Sequence, residues 1–348
     1  MSKPSGPITA PFAETSPSIA TLAFAGEGAA ILGRATLGTD AWLGDYSVIR
    51  ADGNIVVIGN DFHLGAHGTV HIAHDMYATH VGDHVSAGAE AVLHACTIGS
   101  DCVIERAAVV LDGSKIGSGA VVTAGSVVYP RSDLEGGWIY TGSPAKPVAR
   151  VTPDELEARH RSTRGDSAAR RLAPVDPGAE TPDCFVAPSA RLGGEVRAGA
   201  EAGIWYGCYL NAGSHRIEIG AGTNVQDNSF LICEQTALSI AENVSIGHNV
   251  TLVDCRIETN TLIGIGSRLA AGTVVESDVL VAAGAQTEPG QRLTGGQVWG
   301  GRPARPIGPM DERKRKIVAG TLPAYRAYAK TFRATPHLMG PGSRGNLG

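Results

Sequence analysis

The sequence has few aromatic residues and little charge, and it contains no long apolar run. Aromatic residues make up 5% and charged residues 18% of the 348 residues. Such a composition argues against a bulky aromatic core and suits thin layers of aliphatic side chains. The formal net charge of −5 gives no support for nucleic-acid binding, which usually shows as a basic face. No run of about 18 apolar residues is present, so the sequence predicts no membrane span.

Cysteine pairs with metal-site or redox spacing are also lacking. Six cysteines are scattered without a CxxC pair, and Cys96, Cys102 and Cys255 fall inside the repeats described below. A small buried thiol is the expected state at such positions. The N-terminal stretch MSKPSGPITAPFAETSPS has no apolar signal core. The sequence therefore predicts a cytoplasmic protein without disulfides.

What the sequence does contain is a six-residue period of aliphatic residues, many of them followed by a small residue such as Gly or Ala. A helix repeats near 3.6 residues and a plain strand near 2, so a period of six fits neither. It is typical of a β-helix, in which each six-residue unit forms one short strand and one corner, and the 46 glycines suit such corners. With one five-residue step before Ile98, the register runs through Val81, Ala87, Leu93, Ile98, Ile104, Val110, Ile116, Val122 and Val128.

The same register returns 159 residues later, which indicates an internal duplication. The five-residue step recurs at the equivalent place, between Leu252 and Ile257. The closing segment GSPAKP, which starts at Gly142, maps onto GRPARP, which starts at Gly301. Chance would not keep an irregularity and a terminator in step. The second register runs through Ile240, Ile246, Leu252, Ile257, Ile263, Leu269, Val275 and Val281.

The duplication divides the chain into five segments. Thr152 is the expected N-cap of a helix after the first solenoid, because Pro153 and two acidic residues follow it. The last helix, roughly from Asp311 to Arg333, carries an apolar stripe that we expect to pack on the solenoid. The stripe consists of Ile317, Val318, Leu322, Tyr325, Tyr328 and Phe332. The predicted segments are a disordered leader (1–17), a first β-helix (18–150), a helix and linker (151–182), a second β-helix (183–308), and a C-terminal helix and tail (309–348).

Histidine is concentrated in the first solenoid, where seven of the eleven lie between His63 and His94. For His74, His80 and His84 we expect ordinary corner residues that are solvated or hydrogen-bonded. His71 and His94 differ because of their places in the repeat. Here the sequence resembles the gamma-class carbonic anhydrases and their relatives. The resemblance covers nearly all of both solenoids. It rests on the six-residue register, an Arg-x-Asp segment, a Thr-Asn-x-Gln-Asp-Asn segment, a Gly-His…Leu-His-Gly-Cys segment and the closing Gly-x-Pro-Ala-Lys-Pro.

The resemblance implies an all-β fold of two tandem left-handed parallel β-helices, each followed by a short α-helix. It also implies assembly as trimers, in which two histidines of one subunit and a third from its neighbour bind a metal ion. Matched residue by residue, the first solenoid keeps two of these ligands, His71 and His94, and has Ala89 at the remaining position. The second solenoid keeps only that remaining ligand, His248, and has Ile232 and Val253 at the other two. This partition predicts one site shared between unlike halves.

The resemblance extends to residues around the metal. Arg50 and Asp52 fill the Arg-x-Asp segment of the first half, and we expect them to stabilise the wall of the site. The second half keeps Thr223–Asn228, in which Gln226 could orient hydroxide or substrate and Asn224 could support it. The implied metal is Zn²⁺, and Fe²⁺ or Co²⁺ could replace it in the same imidazole set.

Three functions are compatible with this pattern. The first is a carbonic anhydrase-like lyase, in which metal-bound hydroxide attacks CO₂ or a related small carbonyl compound. The second is a non-catalytic assembly module, since each half has lost at least one ligand. The third is a hexapeptide acyltransferase that uses acyl-CoA. The expected partners are CO₂, bicarbonate or a small carbonyl compound, and a second copy or another protein bound through the β-helix faces, with no nucleic acid and no membrane. A ring of three solenoids cannot contain equal numbers of first and second halves. Rings that mix the two halves, and rings completed by another protein, both stay open.

Overall fold

A computed structural model of the chain describes residues 6–166, 168, 172–173, 179–181 and 183–337. It contains two compact units, Met1–Arg170 with Ala334–Gly348, and Arg171–Arg333. Each unit is a solenoid of stacked parallel strands followed by one α-helix. This architecture confirms the predicted fold of two tandem β-helices.

In the first unit, strands that neighbour each other in a sheet are mostly three apart in chain order, because each coil contributes three short strands. Its helix is α1 (Pro153–Gly165). The strands are β1 Ile8–Ala10, β2 Ser18–Ile19, β3 Leu22–Ala25, β4 Ala30–Leu37, β5 Ala41–Leu43, β6 Val48–Ile58, β7 His63–Leu64, β8 Thr69–His71, β9 Thr79–Val81, β10 Ser86–Ala87, β11 Val92–His94, β12 Thr97–Ile98, β13 Val103–Ile104, β14 Val109–Val110, β15 Lys115–Ile116, β16 Val121–Val122, β17 Val127–Val128, β18 Asp133–Leu134, β19 Trp138–Gly142 and β20 Ala145–Arg150.

The second unit repeats this order of strands and ends with α2 (Glu312–Arg333). Its strands are β21 Ala179–Glu180, β22 Phe185–Val186, β23 Arg191–Ala198, β24 Gly203–Ile204, β25 Tyr209–Ile219, β26 Asn224–Val225, β27 Phe230–Ile232, β28 Leu238–Ile240, β29 Ser245–Ile246, β30 Thr251–Val253, β31 Arg256–Ile257, β32 Leu262–Ile263, β33 Arg268–Leu269, β34 Val274–Val275, β35 Leu280–Val281, β36 Arg292–Leu293, β37 Gln297–Gly300 and β38 Arg305–Pro309.

The predicted aliphatic register forms the core of each solenoid. Ile104 pairs with Ala87 on one side and with Val122 on the other, so equivalent side chains stack along the solenoid axis. Ile263 makes the equivalent pairs in the second unit. Every register position proposed as inward-facing is buried, with 0 to 2% exposure at Ile98, Ile104, Val110, Ile257, Ile263 and Leu269. The register is therefore confirmed.

The corners of the coils require backbone conformations that only some residues adopt easily. One corner column of the first unit reads His84, Asp101, Gly119 and Gly137, and all four have φ between 52° and 71°. A side chain at positive φ costs free energy that glycine avoids, whereas short polar residues tolerate it better. The high glycine content of the sequence follows in part from such columns.

Both solenoids end in an antiparallel hairpin, where the GSPAKP and GRPARP segments reverse the chain. In each unit the reversed strand interrupts the parallel ladder and closes that end of the coil. The predicted N-cap of α1 is present, since the hydroxyl of Thr152 accepts a hydrogen bond from the backbone N–H of Glu155. Most of the predicted apolar stripe of α2 is buried, including Tyr325 and Phe332.

The structure differs from the sequence expectations in several places. Residues 8–10 belong to the segment expected to be a disordered leader, yet they form β1, which pairs with β4 because the backbone of Ala30–Leu32 offers a free ladder edge. Residues 179–180, expected in the linker, form β21 and pair with β23. Ile317 is 51% exposed and does not join the buried stripe. Met1–Ser5 of the leader and residues 338–348 of the tail lie outside the described residues.

All six cysteines are buried and free, as predicted. Burial raises the pKa of the Cys102 thiol to about 11, so this group stays protonated and unreactive at neutral pH. Neither helix in the described part of the chain has the length and apolar character that a membrane crossing requires.

Candidate functional site

Two histidines of the first unit lie side by side on adjacent coils. His71 at the end of β8 and His94 at the end of β11 are partners in the strand register, and their ring centroids are 5.4 Å apart. Nδ1 of His71 lies 2.8 Å from the carbonyl oxygen of Arg50, and Nδ1 of His94 lies 2.6 Å from a carboxylate oxygen of Asp112. An oxygen acceptor at Nδ1 favours the tautomer that leaves Nε2 as a lone-pair donor. The first unit thus presents two oriented imidazoles suited to a metal ion.

The side chains of Arg50 and Asp52 form a pair next to the ring of His71. Both side chains are fully buried and form an ion pair with each other. The carbonyl of Arg50 is the acceptor for His71, and a carboxylate oxygen of Asp52 lies 3.8 Å from Nε2 of the same ring. An ionised pair is costly to bury unless it is well partnered. The position of this buried pair beside His71 therefore favours a role in fixing the ring of His71.

In the second unit, His248 is fully buried between two polar groups. Its Nδ1 lies 3.2 Å from a carboxylate oxygen of Asp227, which has the distance of an ion pair without the alignment of a good hydrogen bond. The hydroxyl oxygen of Tyr325, on α2, lies 3.3 Å from Nε2. Asp227 is itself fixed, since its other carboxylate oxygen accepts a hydrogen bond from the backbone N–H of Tyr206.

The two amide side chains predicted for the site, Asn224 and Gln226, form a small hydrogen-bond network. They lie on the coil before that of His248. Nε2 of Gln226 donates to Oδ1 of Asn224 at 3.2 Å, and the hydroxyl of Ser245 donates to the same oxygen at 3.0 Å. Asn224 and Gln226 are 3% and 6% exposed. Among the described residues, Nδ2 of Asn224 is a buried donor without a hydrogen-bond partner. Such a donor is costly to leave unsatisfied and is therefore suited to a ligand or a water molecule.

The positions that lost histidine offer no metal ligand. Ile232 and Val253 are partners in the strand register of the second unit, in the arrangement that His71 and His94 adopt in the first. Ala89, at the position of His248, is buried. These three side chains carry no donor atom, in agreement with the sequence alignment of the two halves.

The histidines predicted to be ordinary corner residues have surface environments. His74 and His80 are exposed, and His74 has positive φ. His84 is hydrogen-bonded through Nδ1 to Asp101 at 2.9 Å, and its ring stacks on that of His160 with centroids 4.3 Å apart. The contacts of His84 are those of an ordinary surface residue.

Sequence reasoning missed three residues that contact the histidines. Asp112 follows His94 by 18 residues, and Asp227 precedes His248 by 21 residues, so each lies one coil away in the same column. The coil length of the repeat could have identified both carboxylates. Tyr325 belongs to the apolar stripe of the last helix, and nothing in the sequence tells which residue its hydroxyl contacts.

The chain resembles known proteins over about one solenoid length. No protein-family profile matches it. It is 38% identical to "Gamma carbonic anhydrase 1, mitochondrial" of Arabidopsis thaliana, over 44% of this chain and 58% of that protein. It is 35% identical to "Protein YrdA" of Escherichia coli (strain K12), over 35% of this chain and 71% of that protein.

The chain thus spans between about half and three fifths of the length of the Arabidopsis relatives that it matches. A solved structure described as an acetyltransferase of Desulfovibrio desulfuricans G20 is also similar to this chain. The match covers 99% of this chain and 88% of that chain, with a TM-score of 0.62. At 14% identity this match shows the fold alone. Register, duplicated terminators and sequence identity agree, and the chain belongs to the gamma carbonic anhydrase-like hexapeptide-repeat family.

Proposed function

We propose that this protein is a metal-dependent enzyme of the gamma carbonic anhydrase type, which hydrates CO₂ or attacks a related small carbonyl compound. A single metal site is shared between the unlike halves, with His71 and His94 from the first and His248 from the second. The observation that carries the proposal is the oriented pair of imidazoles at His71 and His94, each with an oxygen acceptor at Nδ1.

Complementary losses support the assignment of His248 as the third ligand. The first half has Ala89 where the second has His248, and the second half has apolar residues where the first has His71 and His94. Simple decay would more often leave one intact copy and one that has lost its ligands, or two copies that have lost them. Three neutral imidazoles with an open fourth position are the donor set typical of catalytic zinc.

A zinc ion held by this set would lower the pKa of a coordinated water to around 7, and carbonic anhydrase is the standard example of that effect. The chain's own residues would do the rest. The buried Nδ2 of Asn224 is available to donate a hydrogen bond to an oxygen of the substrate. Gln226 is held by Asn224 and Ser245, which fixes the direction of its amide. Arg50 and Asp52 hold the ring of His71 and do not need to transfer protons.

The metal is proposed to be Zn²⁺, with Fe²⁺ or Co²⁺ as alternatives in the same imidazole set. The family relationship supports an oligomer that forms through β-helix faces, either with further copies of this chain or with a related protein. The free, buried thiols fit the reducing compartment expected for a cytoplasmic protein.

The test is metal analysis and CO₂ hydration measured on the same purified sample. We expect about one zinc ion per chain and hydration that a chelator removes and added zinc restores. Stoichiometric metal without hydration would point to another small carbonyl substrate. Absence of tight metal together with absence of hydration would favour the assembly module, and metal-independent transfer from acyl-CoA would favour the acyltransferase.

A further inference from the structure

Tyr325 makes a contact that the proposed chemistry does not require. Its hydroxyl oxygen lies 3.3 Å from Nε2 of His248, the ring nitrogen on the side opposite Asp227. Tyr325 is 8% exposed and His248 is fully buried. The contact therefore lies inside the second unit, out of bulk water, where a hydrogen bond between a phenol and an imidazole is strengthened by the low dielectric constant.

The direction of this hydrogen bond follows from the charge on the other side of the ring. The carboxylate of Asp227 lies 3.2 Å from Nδ1, and its negative charge favours the tautomer that carries the proton on that nitrogen. Nε2 then has a lone pair and accepts, while the Tyr325 O–H donates. The nitrogen that a metal would need is thus occupied by the tyrosine hydroxyl.

The helix holds Tyr325 in this place. The ring of Trp205 meets that of Tyr325 edge to face at 5.2 Å, and the ring of Tyr328 also meets it edge to face, at 5.8 Å. One residue further along, Arg326 donates to Oδ1 of Asn243 at 2.8 Å. Because two aromatic rings pack against Tyr325, its hydroxyl stays near His248, and moving it requires a change in its rotamer or a shift of α2.

We infer that Tyr325 is a positioning residue that caps the ligand nitrogen of His248 in the metal-free protein and competes with the metal for it. This inference rests on the proposed role of His248 as a ligand. The hydroxyl gives the buried imidazole a partner when no metal is bound and holds the tautomer ready. Binding of the metal breaks that hydrogen bond, so the tyrosine lowers the affinity of the site.

The experiment compares zinc binding by the wild-type protein, Tyr325→Phe and the control Tyr328→Phe, which removes a hydroxyl from the same helix. A buried hydrogen bond contributes about 0.5–1.5 kcal/mol, which corresponds to a factor of about 2 to 13. We expect Tyr325→Phe to bind zinc about 2- to 13-fold more tightly in competition with a chelator. Its metal-free form should melt at a lower temperature than the wild type, and its zinc-loaded form should not. Unchanged or weaker zinc affinity in Tyr325→Phe would overturn the inference.

A second readout uses the metal-free protein and separates this inference from the proposed function. In the nitrogen NMR spectrum of the wild type, we expect His248 to carry its proton on Nδ1. In Tyr325→Phe the Nε2 resonance should move toward that of an imidazole nitrogen that accepts no hydrogen bond. If the wild type binds no zinc but this shift occurs, the cap exists and the metal function fails. If zinc binds and the resonance stays in place, the function stands and the cap fails.

Discussion

The two helices that follow the solenoids pack on equivalent faces by different chemistry. Helix α1 lies on β10 and β13, and helix α2 lies on β22, β24 and β29. The strands β10 and β29 begin with Ser86 and Ser245, which occupy the same position of the repeat. The duplication therefore delivered the same backbone twice, and each helix contacts the equivalent strand of its unit. The difference between the two units lies in the side chains at the contact.

In the first unit the contact is polar. Arg164 of α1 binds the carboxylate of Asp61 through two nitrogens, each 3.0 Å from an oxygen, and donates to the hydroxyl of Ser86 at 2.8 Å. The ring of His160 lies 2.8 Å from the same hydroxyl. This helix carries few large apolar residues, so ion pairs and hydrogen bonds take the place of an apolar contact.

In the second unit the contact is aromatic. Phe332 of α2 is 1% exposed and lies close to the rings of Phe185, Trp205 and Tyr206, with centroid distances of 6.0 to 6.3 Å. Aromatic packing buries more apolar area than ion pairs at the protein surface and depends little on salt. From this difference we expect α2 to be bound to its solenoid more tightly than α1, which would keep the hydroxyl of Tyr325 near His248.

The largest expected effect tests whether the two cores are equivalent beneath these helices. Ile104→Asp and Ile263→Asp each place a carboxyl group in a fully buried aliphatic column. An unpaired buried charge costs several kcal/mol, so we expect each variant to unfold its own unit or to be insoluble. Urea unfolding followed by circular dichroism measures both. A soluble variant with a normal melting temperature would contradict the register.

The next effect concerns the aromatic contact of α2. Phe332→Ala should lower the free energy of unfolding of the second unit by about 3–5 kcal/mol, because it removes a large buried ring. The loss should be the same in low and high salt. Lys330→Ala, at an exposed position of the same helix, is the matched control and should have little effect. Equal losses in the two variants would show that α2 is not held by its aromatic face.

Acid should affect the first unit more than the second. Burial and the charge of Arg164 lower the pKa of His63 to about 4, and the second unit has Asn224 at this position. Since the unfolded chain binds the proton near pH 6.5 and the folded chain does not, stability is fully present above pH 6.5 and falls as the pH decreases toward 4. We expect a loss of roughly 2–3 kcal/mol across that window. In His63→Asn the loss should largely disappear, and a wild-type profile in that variant would contradict the assignment.

The smallest effect concerns the ion pair of α1. Arg164→Ala should destabilise the first unit by about 1 kcal/mol in low salt and by less in high salt, because the pair is partly exposed and screened. Arg161→Ala removes an exposed pair within the helix and serves as the control. A loss as large as that of Phe332→Ala, or one that does not depend on salt, would remove the distinction between the two helices.

The fold was predictable from the sequence because a six-residue period with aliphatic inward positions leaves little choice of architecture. The N-cap at Thr152 and the end of each solenoid at its proline-containing segment were predictable because their chemistry is local. The antiparallel hairpin that forms there was not predicted. The pairing of residues 8–10 with β4 was not, because strand addition to a ladder edge depends on neighbours in space. The contacts of Asp112 and Asp227 could have been predicted from the coil length of the repeat. The contact of Tyr325 depends on the rotation of α2, which the sequence pattern does not determine.

The central claim is that one metal site takes ligands from both halves. Its most direct test is the number of zinc ions per chain in the wild type, His71→Ala and His248→Ala, with His84→Ala as the control. We expect about one ion in the wild type and in His84→Ala, and none retained after dialysis in either ligand variant, because an incomplete set of imidazoles does not hold zinc tightly. If His248→Ala keeps its zinc while His71→Ala loses it, the site does not include the second half and the account is wrong.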